Sequence, residues 1–181
     1  WVLYTMEAMA ISPEKLDAGL VCFYLFNIVH LKEGEGIFQD AGIPHAYLRG
    51  QNVELMACSD NVIRGGLTPK YVDIVELLKI VDCREVTPKI ISAAPQNQSE
   101  FTYKTPVNDF ALAQIRVEPE MHTKVNLQSA GILLVMQGEL KIQEKSTALT
   151  LKQGESAFIT ADSNVEIMSE KGGYAFLAKL P

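Results

Sequence analysis

The chain has 181 residues, a formal net charge of −6 and 48% apolar residues, enough for one large domain or two small ones with a real core. Its acidity, with no basic stripe interleaved with aromatics, argues against a nucleic-acid partner. No apolar run approaches the roughly 20 residues that span a bilayer, and no signal-peptide pattern is present, so neither a membrane nor export is expected.

Cys22, Cys58 and Cys83 have apolar neighbours and form no C-x-x-C pair, so they read as reduced core residues of a cytoplasmic protein. The first residue, Trp1, stands within an apolar run and is not a Met, which reads as a fragment of a longer protein. Residues 1–10 fit helix or strand, with Leu3, Met6 and Ala10 allowing a helical stripe. Ser12-Pro13 predicts a short helix that stops before Gly19. Residues 20–31, β-branched and aromatic, read as one or two buried strands. A turn at 32–36, a short strand at 37–39, a second turn to Pro44 and a strand at 45–48 follow. Arg49-Gly50-Gln51-Asn52 then makes a hairpin into a strand at 53–57. Thr68-Pro69 predicts a helix over 69–82, with Val72, Val75, Leu78 and Val81, or Leu77 and Val81, as its core stripe. Residues 83–109 carry Pro88, Pro95, Pro106 and the polar run 96–100, which predicts a linker. Short alternating strands are then expected at 110–117, 122–127, 131–137, 139–145, 147–151, 156–160, 164–169 and 173–179, a β-sandwich or barrel.

Chemistry concentrates between residues 41 and 70. His45 follows a Gly-x-Pro turn, and Glu54, Asp60, Arg64 and Lys70 come within the next 25 positions. Val53, Leu55, Ala57, Val62 and Ile63 should turn inward, leaving the ionisable groups to face water, pair up or line a cavity; a cavity so lined is a site for a polar, anionic small molecule. Taken singly, each has a plainer reading. His45 is a turn histidine, Glu54 a solvated strand residue, Asp60 a turn brace and Arg64 a surface ion-pair partner. Lys70, placed in the first turn of the predicted helix, opposes the dipole, and an anionic substrate would supply the reason. His30 and His122 read as structural residues on strands without partner ligands nearby.

The chain also repeats. Leu31-Lys-x-Gly34-Glu35-x-x-Phe38-x-x-Ala41 recurs as Leu151-Lys-x-Gly154-Glu155-x-x-Phe158-x-x-Ala161, an offset of 120 that sets Val165 opposite His45. Two related β-domains follow, one with a working site and one structural copy. The copy is expected to hold no metal and to fill its interior with Leu133, Val135, Phe158, Ile167 and Phe176 or their strand neighbours.

The repeated unit, ending in Pro44-His45-Ala46, resembles the second motif of the cupins, a jelly-roll superfamily whose histidine binds metal. Over Pro44-His45-Ala46-Tyr47-Leu48, Glu54-Leu55-Met56-Ala57-Cys58-Ser59-Asp60-Asn61-Val62 and Arg64-Gly65-Gly66-Leu67-Thr68-Pro69-Lys70-Tyr71, the sequence is similar to type I mannose-6-phosphate isomerase. The likeness extends over nearly the whole chain, more weakly at 1–18 and 84–105. It departs at Leu16-Asp17-Ala18-Gly19, where the family usually reads Tyr-Pro-Gly-Asp.

The resemblance implies tandem cupin jelly rolls, mainly β, with a helix and linker between them. Residues 1–82 would be the C-terminal part of the catalytic cupin, 83–109 the linker and 110–181 a jelly roll without metal. It further implies a zinc-dependent enzyme interconverting mannose 6-phosphate and fructose 6-phosphate. His45 would be one zinc ligand, Arg64 and Glu54 catalytic groups, and Lys70 and Asp60 groups on the substrate side. The remaining ligands, a Gln, a His and a Glu, belong to an N-terminal half that this sequence does not contain, so the chain alone is expected to hold zinc weakly and to be inactive. The partners expected are the phosphorylated hexose and that missing half. The competing reading is a non-catalytic cupin that binds a sugar or serves as a structural module.

Overall fold

The computed structural model describes residues 1–59 and 61–181, leaving Asp60 outside the described residues. The chain divides into two compact units. One comprises Trp1–Lys32, Ile37–Val53 and Cys58–Ile90. The other comprises Glu33–Gly36, Glu54–Ala57 and Ile91–Pro181.

The first unit is helical and looped. Helix α1 runs Val2–Ala8, a 3-10 turn Ala18–Val21 leads into the single-turn helix α2, Cys22–Leu25, and α3 spans Ile74–Ile80. The helix expected from Ser12-Pro13 does not form; Lys15 N–H closes only a turn onto the Ser12 carbonyl. Nor is 20–31 a buried strand. A strand satisfies its amides and carbonyls against a neighbouring strand, and none lies against this run among the described residues, so its first half closes local helical bonds instead. The strands expected at 45–48 and 53–57 likewise do not form.

Helix α3 starts later than Thr68-Pro69 suggests. Asp73 is the cap, its Oδ1 accepting from Glu76 N–H at 3.0 Å, with the cap-to-acid spacing of a capping box. The expected core stripe is open in the middle of this helix, where Val75 and Leu78 are 66% and 71% exposed, while Val72, Leu77 and Val81 are half-buried. Of the inward-turning set, Val53 and Leu55 are half-buried, while Ala57, Val62 and Ile63 are exposed. The cysteines are free, Cys22 half-buried and Cys58 and Cys83 exposed, which corrects their expected place in a core.

The second unit holds the core. Glu35–Ile37 (β1) and Ile90–Ser92 (β2) make a two-stranded sheet. Ala94–Pro95 (β3) and Glu100–Tyr103 (β4) fall inside 83–109, where the sequence predicts a linker; β4 is an integral strand because Glu100 to Tyr103 register against Ile115 to Leu112. Then follow Ala111–Val117 (β5), His122–Leu127 (β6), Gly131–Gln137 (β7), Glu139–Glu144 (β8), Thr147–Lys152 (β9), Ser156–Ile159 (β10), Ser163–Met168 (β11) and Gly173–Lys179 (β12), within a residue or so of the predicted bounds. One sheet has the order β10-β7-β12-β5-β4-β3 and the other β6-β11-β8-β9, with antiparallel pairing throughout the registers. The protein is therefore mainly β, as expected.

Alternation along these strands builds the interior. Ile115, Leu133, Val135 and Leu177 from the larger sheet meet Val125, Leu140, Val165 and Ile167 from the smaller one. Leu133, Val135 and Ile167 fill the core as expected, but Phe158 and Phe176 do not. Phe158 is 68% exposed, one position out of phase with the buried Ile159, and Phe176 stands between the fully buried Ala175 and Leu177 on the opposite face of β12. There it is half-buried, 6.3 Å from the Tyr103 ring and 6.1 Å from that of Tyr174.

The internal repeat is visible in the backbone. Gly34 and Gly154 both take left-handed φ, +80° and +84°, and strands 35–37 and 156–159 follow them. At the same offset Gly42 and Asp162 have φ of 78° and 57°. The second copy tolerates a side chain at that turn because Asp, with its short polar side chain, accepts the left-handed region more readily than most residues. Tyr103 ties β4 to the first copy's turn, its hydroxyl donating to the Gly34 carbonyl at 3.0 Å. Burial holds that phenol above its ordinary pKa.

Two outcomes follow for stability. Val165→Asp, or Leu133→Ala, should lower the unfolding free energy by about 2–5 kcal/mol in urea melts, whereas Phe158→Ser should cost less than about 1 kcal/mol. Because the folded pKa of Tyr103 is raised, its contribution is complete below the ordinary tyrosine value and is lost as the pH climbs through the folded one. Tyr103→Phe should cost about 1 kcal/mol near neutral pH and flatten the loss of stability above about pH 10.

Candidate active-site segment

The turn that presents His45 is held from behind by the chain leaving α3. Asp82 N–H donates to the Gly42 carbonyl at 2.8 Å. Arg84 reaches Asp40 at 2.9 Å and Asp82 at 3.3 Å. Gly42 is required there, since a Cβ would meet the Ile80 carbonyl oxygen at 2.8 Å in a left-handed backbone of φ +78°. Pro44 then projects His45 to the surface, with Nδ1 3.0 Å from the Ile43 carbonyl. A proton on Nδ1 donates to that carbonyl and leaves Nε2 as a free lone pair, the tautomer of a metal-binding histidine. The Tyr47 ring stands edge-on to the imidazole at 6.1 Å. Arg49 lies over Trp1 and Tyr4, its guanidinium carbon 5.4 and 5.3 Å from their ring centres. The i, i+3 pair Trp1/Tyr4 on one helix face is the sequence signal for that stack.

The second half of the motif is a loop. Arg64 is half-buried ahead of Gly65-Gly66, Leu67 takes φ 50°, and Lys70 is exposed with its N–H on Thr68 Oγ1 at 3.2 Å. Lys70 precedes α3 by several residues, so the helix-dipole reason for singling it out lapses; the cation itself remains. Glu54 is exposed and belongs to the other unit. Asp60 lies outside the described residues. Among the described residues no hydrogen bond or ion pair joins His45, Arg64 and Lys70 to one another. What the fold does bring to this loop is Asp17. Its Oδ1 accepts from Gly19 N–H at 2.7 Å and its Oδ2 from Leu67 N–H at 3.2 Å. Sequence reasoning missed Asp17, although an acid two residues before a glycine is the signal of a capped turn.

A zinc site does not fit the described residues by themselves. No group of three or more His, Cys, Asp or Glu among them is placed to hold a metal, and one imidazole falls short of the usual four ligands. His122, read as a structural residue without partner ligands, has Nδ1 3.1 Å from Glu166 Oε2 on the neighbouring strand.

The paired sheets and their buried interior define a cupin: residues 99–171 match the family model for the cupin domain of mannose-6-phosphate isomerase. The chain is 42% identical over 149 residues to mannose-6-phosphate isomerase of Escherichia coli, covering 82% of this chain and 38% of that protein. It is 35% identical over 159 residues to the enzyme of that name from Homo sapiens, with 83% and 38% covered. Phosphomannose isomerase of Salmonella typhimurium, bound to fructose 6-phosphate and zinc, superposes with a TM-score of 0.76 at 33% identity, covering 99% of this chain and 49% of that one. A single-substitution mutant of the same enzyme gives 0.81 at 35% identity, with 99% and 45% covered. The chain belongs to the mannose-6-phosphate isomerase family and corresponds to the C-terminal part of its members. It spans about two fifths of the length of the curated relatives it matches.

The ligand count makes a direct expectation. Metal analysis of the chain on its own, equilibrated with zinc and desalted, should find well under one zinc per chain, and His45→Ala should change that residue little. One tightly held zinc lost on that substitution would show that the described residues suffice.

Proposed function

We propose that the protein carrying this chain is a zinc-dependent isomerase that interconverts mannose 6-phosphate and fructose 6-phosphate. The observation that carries the reading is the run from Pro44 to Tyr71, a histidine presented on a pinned turn followed by Arg64 and Lys70 on a glycine loop, in a chain 42% identical to a mannose-6-phosphate isomerase. Residues 1–82 then form the end of the catalytic cupin and 110–181 a jelly roll without chemistry. The first unit supports this division: among the described residues Leu20 is the one buried hydrophobe before Tyr103, and Leu3, Tyr24, Leu25 and Leu78 lie open. Such a surface suits a segment whose apolar faces are covered by further chain.

In this reading His45 contributes Nε2 to a metal completed by residues outside this sequence. The reaction moves a proton between C2 of the aldose and C1 of the ketose through a cis-enediol. Glu54 takes the proton from one carbon and returns it to the other. As the proton leaves, the electron pair moves into the C1–C2 bond and negative charge grows on the carbonyl oxygen, where the Arg64 guanidinium stabilises it; a second proton passes between O1 and O2, so that the carbonyl forms on the other carbon as the first proton is returned. Lys70 or Arg64 offers a cation to the phosphate, and Asp60 serves on the substrate side.

Arg64→Ala in the intact, zinc-loaded protein should lower kcat about a hundredfold while KM changes little, because the charge is needed mainly as the enediolate forms. Coupled-assay kinetics alongside a melting curve checks this. An unchanged kcat would return Arg64 to the role of a surface ion-pair partner.

A further inference from the structure

We propose that Asp17 is a positioning residue for Arg64, holding the arginine's loop in its working shape; this rests on the isomerase reading above. Two loops distant in sequence meet at this carboxylate. Gly19 N–H and Leu67 N–H each donate to a different oxygen, at 2.7 and 3.2 Å, so neither oxygen is left without a donor. The contact is close enough to exclude side chains. A Cβ on Gly19 would meet Leu67 Cγ at 2.9 Å and Asp17 Oδ1 at 3.0 Å, and one on Gly66 would meet Oδ1 at 3.1 Å and the Gly19 Cα at 3.5 Å.

The loop has little else to define it. Residues 64–70 lie in no helix or strand, Gly65 and Gly66 offer no side chain to pack, and Leu67 sits in the left-handed region at φ 50°. The bond from Lys70 N–H to Thr68 Oγ1 closes within the loop and fixes it to nothing outside. The bond to Asp17 does fix it, spans 50 residues of sequence, and lands three positions after Arg64. Asp17 is half-buried, where a carboxylate bonded to two amides outcompetes the water that would otherwise solvate them. Releasing it lets the diglycine reorient, and a displacement of the guanidinium by about 1 Å is enough to cost up to about a hundredfold in rate.

The test is a double-mutant cycle in the intact, zinc-loaded protein. Asp17→Ala should lower kcat about ten- to hundredfold with KM moved less than about threefold, and in an Arg64→Ala background it should lower kcat by less than about twofold. Asp17→Asn keeps the volume but replaces one acceptor by a donor facing an N–H, and should show the same kcat loss. It carries the test if the alanine variant does not fold. Losses in kcat that simply multiply with that of Arg64→Ala, or a lowered melting temperature with kcat per folded molecule unchanged, would overturn the proposal. Failure of both Asp17 variants to fold would assign the residue to folding alone and overturn it equally. An intact wild-type protein without isomerase activity would instead remove the reading beneath it. Wild-type turnover lost in Arg64→Ala but kept in both Asp17 variants would remove this inference only.

Discussion

Exclusion of water from the layer between the two sheets of the second unit is what the structure rests on. Ile115, Leu133, Val135, Leu140, Ile167 and Leu177 are sealed there from both sides. At about 25 cal/mol per Å2 of apolar area, burial of this kind is the largest favourable contribution a small β-sandwich has. It also fixes register, because a slip of one residue would turn each of these side chains outward. The strand bounds, the sheet order and the place of Val165 all follow from it.

The first unit is organised differently. It has little buried apolar surface of its own, and its shape is set by a few polar staples: Asp17 to Gly19 and Leu67, Asp82 to Gly42, and Arg84 to Asp40. Hydrogen bonds of this kind contribute about 1 kcal/mol each and act at defined points. They hold the backbone around His45 and Arg64 at set points rather than by a core. The division of labour matches the repeat. The copy at 151–161 leads into the core through Val165, while the copy at 31–41 leads to an exposed imidazole.

The motif from Pro44 to Tyr71 was the most informative part of the sequence for function, and the least informative for local structure. Alternating apolar residues at 53–57 suggested a hairpin, yet no ladder forms, because alternation specifies which face is apolar and not whether a partner strand is present. Thr68-Pro69 looked like a helix start, but Asp73 with Glu76 three residues on is the stronger cap, and the helix begins there. The repeat points to Phe158 as an interior residue, whereas the phase set by Ile159 places it outside.

The sequence by itself determined the mainly β class, the eight strands from Ala111 to Lys179, the turn glycines of the repeat and the family to which the chain belongs. Each is written in local information: period-two alternation, residues that accept a left-handed backbone, and an uninterrupted motif. Tertiary structure alone decided that 20–31 is no strand, that β4 joins the larger sheet from within a proline-bearing stretch, and that Asp17 grips the loop of Arg64. Those outcomes depend on which segments meet in space, whether β4 against β5 a few residues on or Asp17 against Leu67 across 50 residues. A backbone amide takes whichever acceptor the folded chain brings to it, and that choice is made in space.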